Sequence, residues 1–216
     1  MPRRGRVAML AAMQALLRFA TEADAVAARA IYAPFCEDTP TSFEARAPSL
    51  DEMRERIRKI SAQFPWLVCE RDGVVLGYAY AGAHRERAAY RWAVDVAVYI
   101  GDGSRRNGVG RALYTALFRL LVAQGYFKAY AGVTLPNPAS VGLHETMGFT
   151  PVGVYRGVGC KFGAWYDVGW WQLGLQPEVA RPAEPVPIGE VAGTAVAQSA
   201  LATAARLVRS GTDLPE

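Results

Sequence analysis

The sequence predicts a single α/β domain with one mixed central sheet flanked by helices. Three observations point there. Strand-like and helix-like stretches succeed one another in mixed order over residues 15–176. Two apolar runs flank Arg71-Asp72-Gly73 as the arms of a hairpin would. Leu113, Leu117, Leu120 and Leu121 line one face of a segment that Gly125 closes. With 216 residues, 51% of them hydrophobic, the chain can bury a core without disulfide staples.

The elements follow in order. Leu16–Phe19 reads as a short first strand. Thr21 and Asp24 form a capping box for a helix to about Ala33, where Pro34 and the Asp38-Thr39-Pro40-Thr41 stretch should turn the chain into a loop. Ser49 with Glu52 caps a second helix over Leu50 to about Ala62. Residues 66–70 and 74–81 are the hairpin strands, and 93–100 alternates as a further strand. Residues 108–124 are helical, 129–133 a strand, 140–147 a short helix ended by Gly148, and 149–155 and 165–175 the last strands. Beyond Pro177 the prolines recur at 182, 185 and 187, and an Ala-rich stretch runs to Arg209. That tail reads as a linker plus a weak helix, with too few large apolar residues for a second core. The division expected is an extension over 1–14, the domain over 15–176 and a Pro/Ala-rich tail over 177–216.

Arg3, Arg4 and Arg6 followed by the apolar Val7–Met13 resemble the front of a signal peptide, but Gln14 interrupts the run and no A-x-A site follows. An uncleaved extension is expected instead. No apolar run approaches the ~20 residues that span a bilayer, so no membrane partner is expected. The formal charge is +4. Three arginines sit in the first six residues and the tail is slightly acidic, which leaves about +3 on the rest: enough for a small anionic ligand, with no nucleic-acid footprint. Cys36, Cys69 and Cys160 are odd in number and show no CxxC spacing, which argues against a disulfide framework or a metal site and suits a reducing compartment.

The sharpest local signal is the turn Arg105-Arg106-Asn107-Gly108-Val109-Gly110, which joins a strand to the start of a helix. Its glycines let backbone approach a ligand closely. The free N–H groups of the first helical turn converge on one spot, where the helix dipole favours negative charge. Arg105, Arg106 and Arg111 add charge-assisted contacts. The result is a diphosphate cradle without the G-K-[ST] of a Walker loop and without an acidic residue at Rossmann spacing. The same residues read equally as a Gly-containing loop with a solvated basic flank.

A second signal, Asn137-x-x-Ser140-x-x-Leu143-His144-x-x-x-Gly148-Phe149, follows about 30 residues later. Together the two motifs resemble the GNAT superfamily of acyl-CoA N-acyltransferases. The register is most similar to its phosphinothricin and methionine-sulfoximine N-acetyltransferase branch. Supporting stretches are Pro65-Trp66-Leu67-Val68, Tyr78-Ala79-Tyr80-Ala81-Gly82, Ala89-Tyr90-x-Trp92, Leu135-Pro136-Asn137 and Asp167-Val168-Gly169-x-Trp171-Gln172-Leu173. The resemblance covers residues 15 to 175 and implies a GNAT-type fold whose splayed strand pair holds acetyl-CoA, in a cytoplasmic homodimer.

By that resemblance, Val98, Tyr99 and Ile100 offer backbone groups to the pantetheine arm. Arg105 to Gly110 bind the pyrophosphate, while Asn137 and Ser140 contact the far part of the cofactor. His144 stands where most GNAT enzymes carry a tyrosine that protonates the departing thiolate. The base that deprotonates the amine is a glutamate in the family. Here that position is Asp95, one methylene shorter and able to act through an ordered water. Arg87 and Tyr90 match positions that bind a substrate carboxylate, and Phe35 one that lines the pocket. Lys161 matches a family position to which no role is assigned. His84, the only other histidine, falls in a loop.

These residues suit the chemistry. An alkyl ammonium has a pKa near about 10, so at neutral pH the amine needs a base before it attacks a thioester. An imidazole, with a pKa near about 6.5, can exchange protons at cellular pH. The expected function is acetyl transfer to the amino group of a small amino acid such as phosphinothricin or methionine sulfoximine. Alternatives left open are another amine, such as arsinothricin, a polyamine or a protein N-terminus, and a non-catalytic acyl-CoA-binding module in which Asp95 marks a decayed site.

Overall fold

The computed structural model describes residues 14–209, so the reading of the first thirteen residues lies outside the described residues. Seven strands form one sheet: β1 (Leu16–Phe19), β2 (Trp66–Arg71), β3 (Val74–Ala83), β4 (Ala93–Ile100), β5 (Lys128–Leu135), β6 (Thr150–Lys161) and β7 (Ala164–Gly174). Their order is β1-β2-β3-β4-β5-β7-β6. All neighbours are antiparallel except β4 and β5. Asp72 and Gly73 both take positive φ, 52° and 76°, in the tight turn joining β2 to β3.

Helices α1 (Ala25–Glu37) and α2 (Leu50–Ser61) cover one face. Tyr32, Cys36, Met53 and Ile57 bury against Trp66, Val68 and Tyr78 there. Helix α3 (Val109–Gln124) covers the other face, where its leucine stripe meets Ala79, Ala81, Val94 and Ala129. Side-chain alternation on β3 sorts its tyrosines to one face and its alanines to the other. The short α4 (Pro138–Thr146) follows β5.

Two elements depart from expectation. α1 runs through Pro34 to Glu37. One interior proline removes one backbone donor, and the buried pair Tyr32 and Cys36 anchors the helix on either side of it. The tail is not a loose linker. It forms α5 (Ile188–Ala192) and α6 (Ala195–Ala205), which join the core over α3. Ala197, Ala200 and Ala204 are fully buried or nearly so, which lets α6 approach α3 closely. The Gln124 side chain donates to the Gln63 and Val186 carbonyls at 2.8 Å each, stitching the tail to the domain. Hydrophobicity alone undervalued alanines that work by letting helices approach.

Candidate active site

β4 and β5 pair only through Ala93, Val94 and Asp95. From Val96 onward β4 pairs with β3 alone, and from Ala131 onward β5 pairs with β7 alone. The two strands therefore splay, and alternate backbone groups of β4 between Val96 and Ile100 have no strand partner on the β5 side. Val98 and Ile100 pack toward α3, whereas Tyr99 joins Tyr32, Phe35 and Tyr78 in an aromatic cluster on the opposite face. What these three residues present to the gap is backbone.

Beyond the gap stands the basic turn. Gly108 caps α3 at φ 80°, and Arg106 also takes a positive φ, 64°. The N–H groups of Val109, Gly110 and Arg111 belong to the first turn of α3 and have no partner within the helix. A Cβ on Gly110 would lie 3.1 Å from Leu143, so that glycine sets how closely α3 approaches α4. Arg105, Arg106 and Arg111 are exposed around this end. Arg105 pairs with Asp102 at 2.8 Å and lies over the Phe35 ring at 5.7 Å. Gly108 itself is pressed from behind, with Leu207 of the tail over it, and Arg209 N donates to Asn107 O at 2.9 Å. An open strand edge, orphan N–H donors and arginines in line fit an acyl-CoA, its pantetheine amides on the strand and its diphosphate at the helix.

Asp95 sits at the vertex where the strands part. Burial raises its pKa against the opposing hydrogen bond from His84. The His84 Nδ1 to Asp95 Oδ1 distance is 2.6 Å, and the His84 ring lies flat on Tyr130 at 4.3 Å with Tyr90 and Trp170 edge-on. His84 follows β3 directly, two residues beyond the Gly82 that registers with Asp95. It is thus a diagonal cross-strand neighbour on the same face. The motifs do not mark His84. The antiparallel register of β3 with β4 is the signal that brings it to Asp95.

His144 has a different setting from the one expected. Only 4% exposed, it donates from Nδ1 to Ser140 O at 2.8 Å, and its Nε2 meets the Tyr114 hydroxyl at 2.9 Å. Burial lowers its pKa despite the Ser140 contact, and both ring nitrogens are engaged. Asn137 caps α4, its Oδ1 accepting from Ser140 N at 3.1 Å. The Asn137 and Ser140 bonds stay within α4 and its cap, and the His144–Tyr114 contact is what ties α4 to α3.

Arg87 and Tyr90 lie on the loop between β3 and β4. With Arg85, Arg91 and Tyr126 they line a cleft of about 370 Å³. Tyr90 reaches the His84 ring, 5.9 Å between centroids, so the structure brings this loop beside Asp95. Lys161 is buried, and its ammonium donates to the carbonyls of Cys36, Thr39 and Ser42 at 2.5, 3.1 and 2.6 Å. It pins the α1–α2 loop, which carries the chain on from Phe35, to the β6–β7 hairpin.

A splayed parallel pair in a mixed sheet, with an anion-binding helix end facing it, defines the class of acyl-CoA-dependent transferases. Residues 17–170 match the family described as acetyltransferase (GNAT) domain, and the chain belongs to that family. A phosphinothricin N-acetyltransferase of Streptomyces viridochromogenes is 39% identical over 171 residues, which is 79% of this chain and 93% of that protein. An L-methionine sulfoximine/L-methionine sulfone acetyltransferase of Salmonella typhimurium is 33% identical, over 76% of this chain and 96% of that one. Among solved structures, the GNAT superfamily phosphinothricin acetyltransferase of Sinorhizobium meliloti in complex with AcCoA superposes with a TM-score of 0.76 at 34% identity, covering 81% of this chain and 96% of that chain. The family match ends before α5 and α6 begin.

Proposed function

We propose that the chain transfers the acetyl group of acetyl-CoA to the amino group of a small amino acid of the phosphinothricin or methionine-sulfoximine kind. The observation that carries this is the position of Asp95, a partly desolvated carboxylate at the vertex of an open strand pair that leads to a basic helix end. A thioester laid along β4 would bring its carbonyl to that vertex. The amine loses a proton there and attacks directly, and proximity supplies much of the rate. Arg105 to Gly110 and Arg111 hold the diphosphate, and the backbone of Val98 to Ile100 holds the pantetheine. Arg87 and Tyr90 receive the substrate carboxylate, for which a guanidinium fork is well shaped. Phe35 lies under Arg105 and against Tyr99, outside the Arg87–Tyr90 cleft, so its part in this reading is to support the cofactor end.

For His144 the geometry fits a positioning role better than direct proton donation to the thiolate. Donation would require a neutral, buried ring to gain a proton and give up the Tyr114 contact first.

A thiol-release assay with phosphinothricin, methionine sulfoximine, methionine sulfone and arsinothricin tests the proposal. Release with at least one of them supports it. No release across an amino-acid panel removes the substrate class, and acetyl-CoA binding without any turnover would favour the non-catalytic module. The proposal includes a cytoplasmic location, consistent with three free cysteines and overturned by fractionation to any other compartment. It also includes a homodimer, for which the β6–β7 hairpin offers an exposed apolar surface of Val152, Val154, Tyr155 and Val158 on β6 and Trp165 on β7.

A further inference from the structure

We propose that the proton acceptor for the amine is the His84 imidazole, with Asp95 holding and charging it, so that the two act as a dyad. This deepens the acetyl-transfer reading and rests on it.

The geometry of the pair carries the inference. An ionised carboxylate only accepts hydrogen bonds, so across the 2.6 Å contact with Asp95 it is Nδ1 of His84 that carries the hydrogen. The ring's lone pair is then on Nε2, which makes no hydrogen bond among the described residues. The ring cannot turn freely: Tyr130 stacks beneath it at 4.3 Å and 15°, Tyr90 and Trp170 stand edge-on at 5.9 and 6.2 Å, and its own carbonyl accepts from Arg85 at 2.8 Å. The His84 side chain is 11% exposed. The indole N–H of neighbouring Trp170 is buried without a partner, a donor left for a polar group of a substrate seated against the pair.

The chemistry agrees. An imidazole has an ordinary pKa far closer to that of an ammonium than a carboxylate has, which makes it the more effective base near neutral pH. A carboxylate on Nδ1 fixes the tautomer and stabilises the imidazolium that forms, the same division of labour as in a histidine–aspartate pair of a hydrolase triad. The shorter aspartate chain is then no handicap, because the ring supplies the reach. Charged and titratable groups facing the ring are Asp95 from β4, Tyr130 from β5, and Tyr90 and Arg85 from the loop after β3.

The step balances without another reactant. One ammonium proton passes to Nε2, giving an imidazolium opposite Asp95 and a neutral amine. The nitrogen attacks the thioester carbonyl; the C–N bond forms, the C–S bond breaks, and its electron pair leaves on sulfur. The thiolate takes the second proton lost by nitrogen, and the imidazolium returns its own to solvent. Amide, thiol and one proton result.

The test uses the full chain with His84→Phe, His84→Gln and Asp95→Asn, followed by thiol release against pH. His84→Phe is expected to lower kcat by about a hundredfold or more, with the KM for acetyl-CoA unchanged, and to change the shape of the pH–rate profile. His84→Gln keeps a hydrogen-bonding side chain without a base and should not recover activity. Recovery by Gln would reduce His84 to a support for Asp95, and wild-type kcat and pH profile in His84→Phe would remove it altogether; either result overturns the proposal. Nitrogen-15 spectra of the two histidines give a readout independent of turnover. They should show His84 protonated on Nδ1 and bare on Nε2 below full protonation, a state lost in Asp95→Asn. A proton found on Nε2 overturns the dyad. If the unaltered chain acetylates no amine, it is the acetyl-transfer reading that falls, and the spectra still decide the tautomer.

Discussion

Replacing Gly108 by alanine tests whether the tail and the diphosphate turn form one unit. Gly108 sits at φ 80°, where an L side chain costs about 1–2 kcal/mol through its own Cβ. The added Cβ would also lie 2.2 Å from Leu207 O and 3.2 Å from Leu207 C. Both are backbone atoms with no side-chain rotamer to escape into, so the strap after α6 must retreat by roughly 1 Å to restore contact distance, which sacrifices packing along it. That movement pulls on the Arg209 N to Asn107 O hydrogen bond, worth about 1 kcal/mol net. The expected loss of stability is roughly 2–3 kcal/mol in urea unfolding, and because the shift is in the turn itself, acetyl-CoA affinity should fall about tenfold, the equivalent of about 1.4 kcal/mol. Gly73→Ala is the control: its φ is 76°, yet nothing lies within 4 Å of its Cβ, so it carries the backbone term alone. Calorimetric titration with acetyl-CoA and urea melts of both variants separate the effects. If Gly108→Ala loses no more stability than Gly73→Ala and binds acetyl-CoA as the unaltered chain does, the coupling of tail to turn is wrong.

Lys161→Met should lower the melting temperature by several degrees, since a buried ammonium with three carbonyl partners is replaced by a group that satisfies none, at about 2 kcal/mol. Its kinetic signature is a rise in KM for the amine with little change for acetyl-CoA, because the loosened segment carries the chain on from Phe35 while the basic turn is untouched. An unchanged melting curve in differential scanning calorimetry would show that the ammonium is not bound there. Trp165→Glu, at a residue 69% exposed on the β6–β7 edge, should convert a dimer to monomer in sedimentation velocity without altering the far-UV spectrum. A dimer that survives the change must use another face.

Local signals made most of the fold legible. The Ser49–Glu52 capping box is present with both reciprocal bonds, at 2.6 and 3.2 Å, and Asp72-Gly73 turns between two strands as its dipeptide type demands. What escaped was set by tertiary context. Pro34 breaks a helix by propensity, but the buried pair Tyr32 and Cys36 fixes the backbone on both sides of it. The tail escaped for a complementary reason: its alanines carry little transfer free energy, yet they fit where a larger side chain could not. Pattern reading weighs how apolar a residue is, and α6 depends on how small it is.

The same division runs through the site. The cofactor end is contiguous in sequence, strand, turn and helix within Val98 to Arg111, so its chemistry shows in a string of residues. The amine end is assembled across the sheet. Asp95 gains His84 only because β3 and β4 pair with Gly82 opposite Asp95, and the burial that raises its pKa is likewise a product of the folded sheet. His144 shows the converse, a residue at a motif position whose pKa is lowered by burial and whose ring nitrogens meet Tyr114 and Ser140, contacts its own position does not reveal. Of the two histidines, the one within the motif has both ring nitrogens engaged, and the one outside it has an Nε2 without a partner among the described residues. A residue's place in a sequence pattern indicates which ligand it stands near. Whether it can move a proton there is decided by which of its atoms the fold has already used.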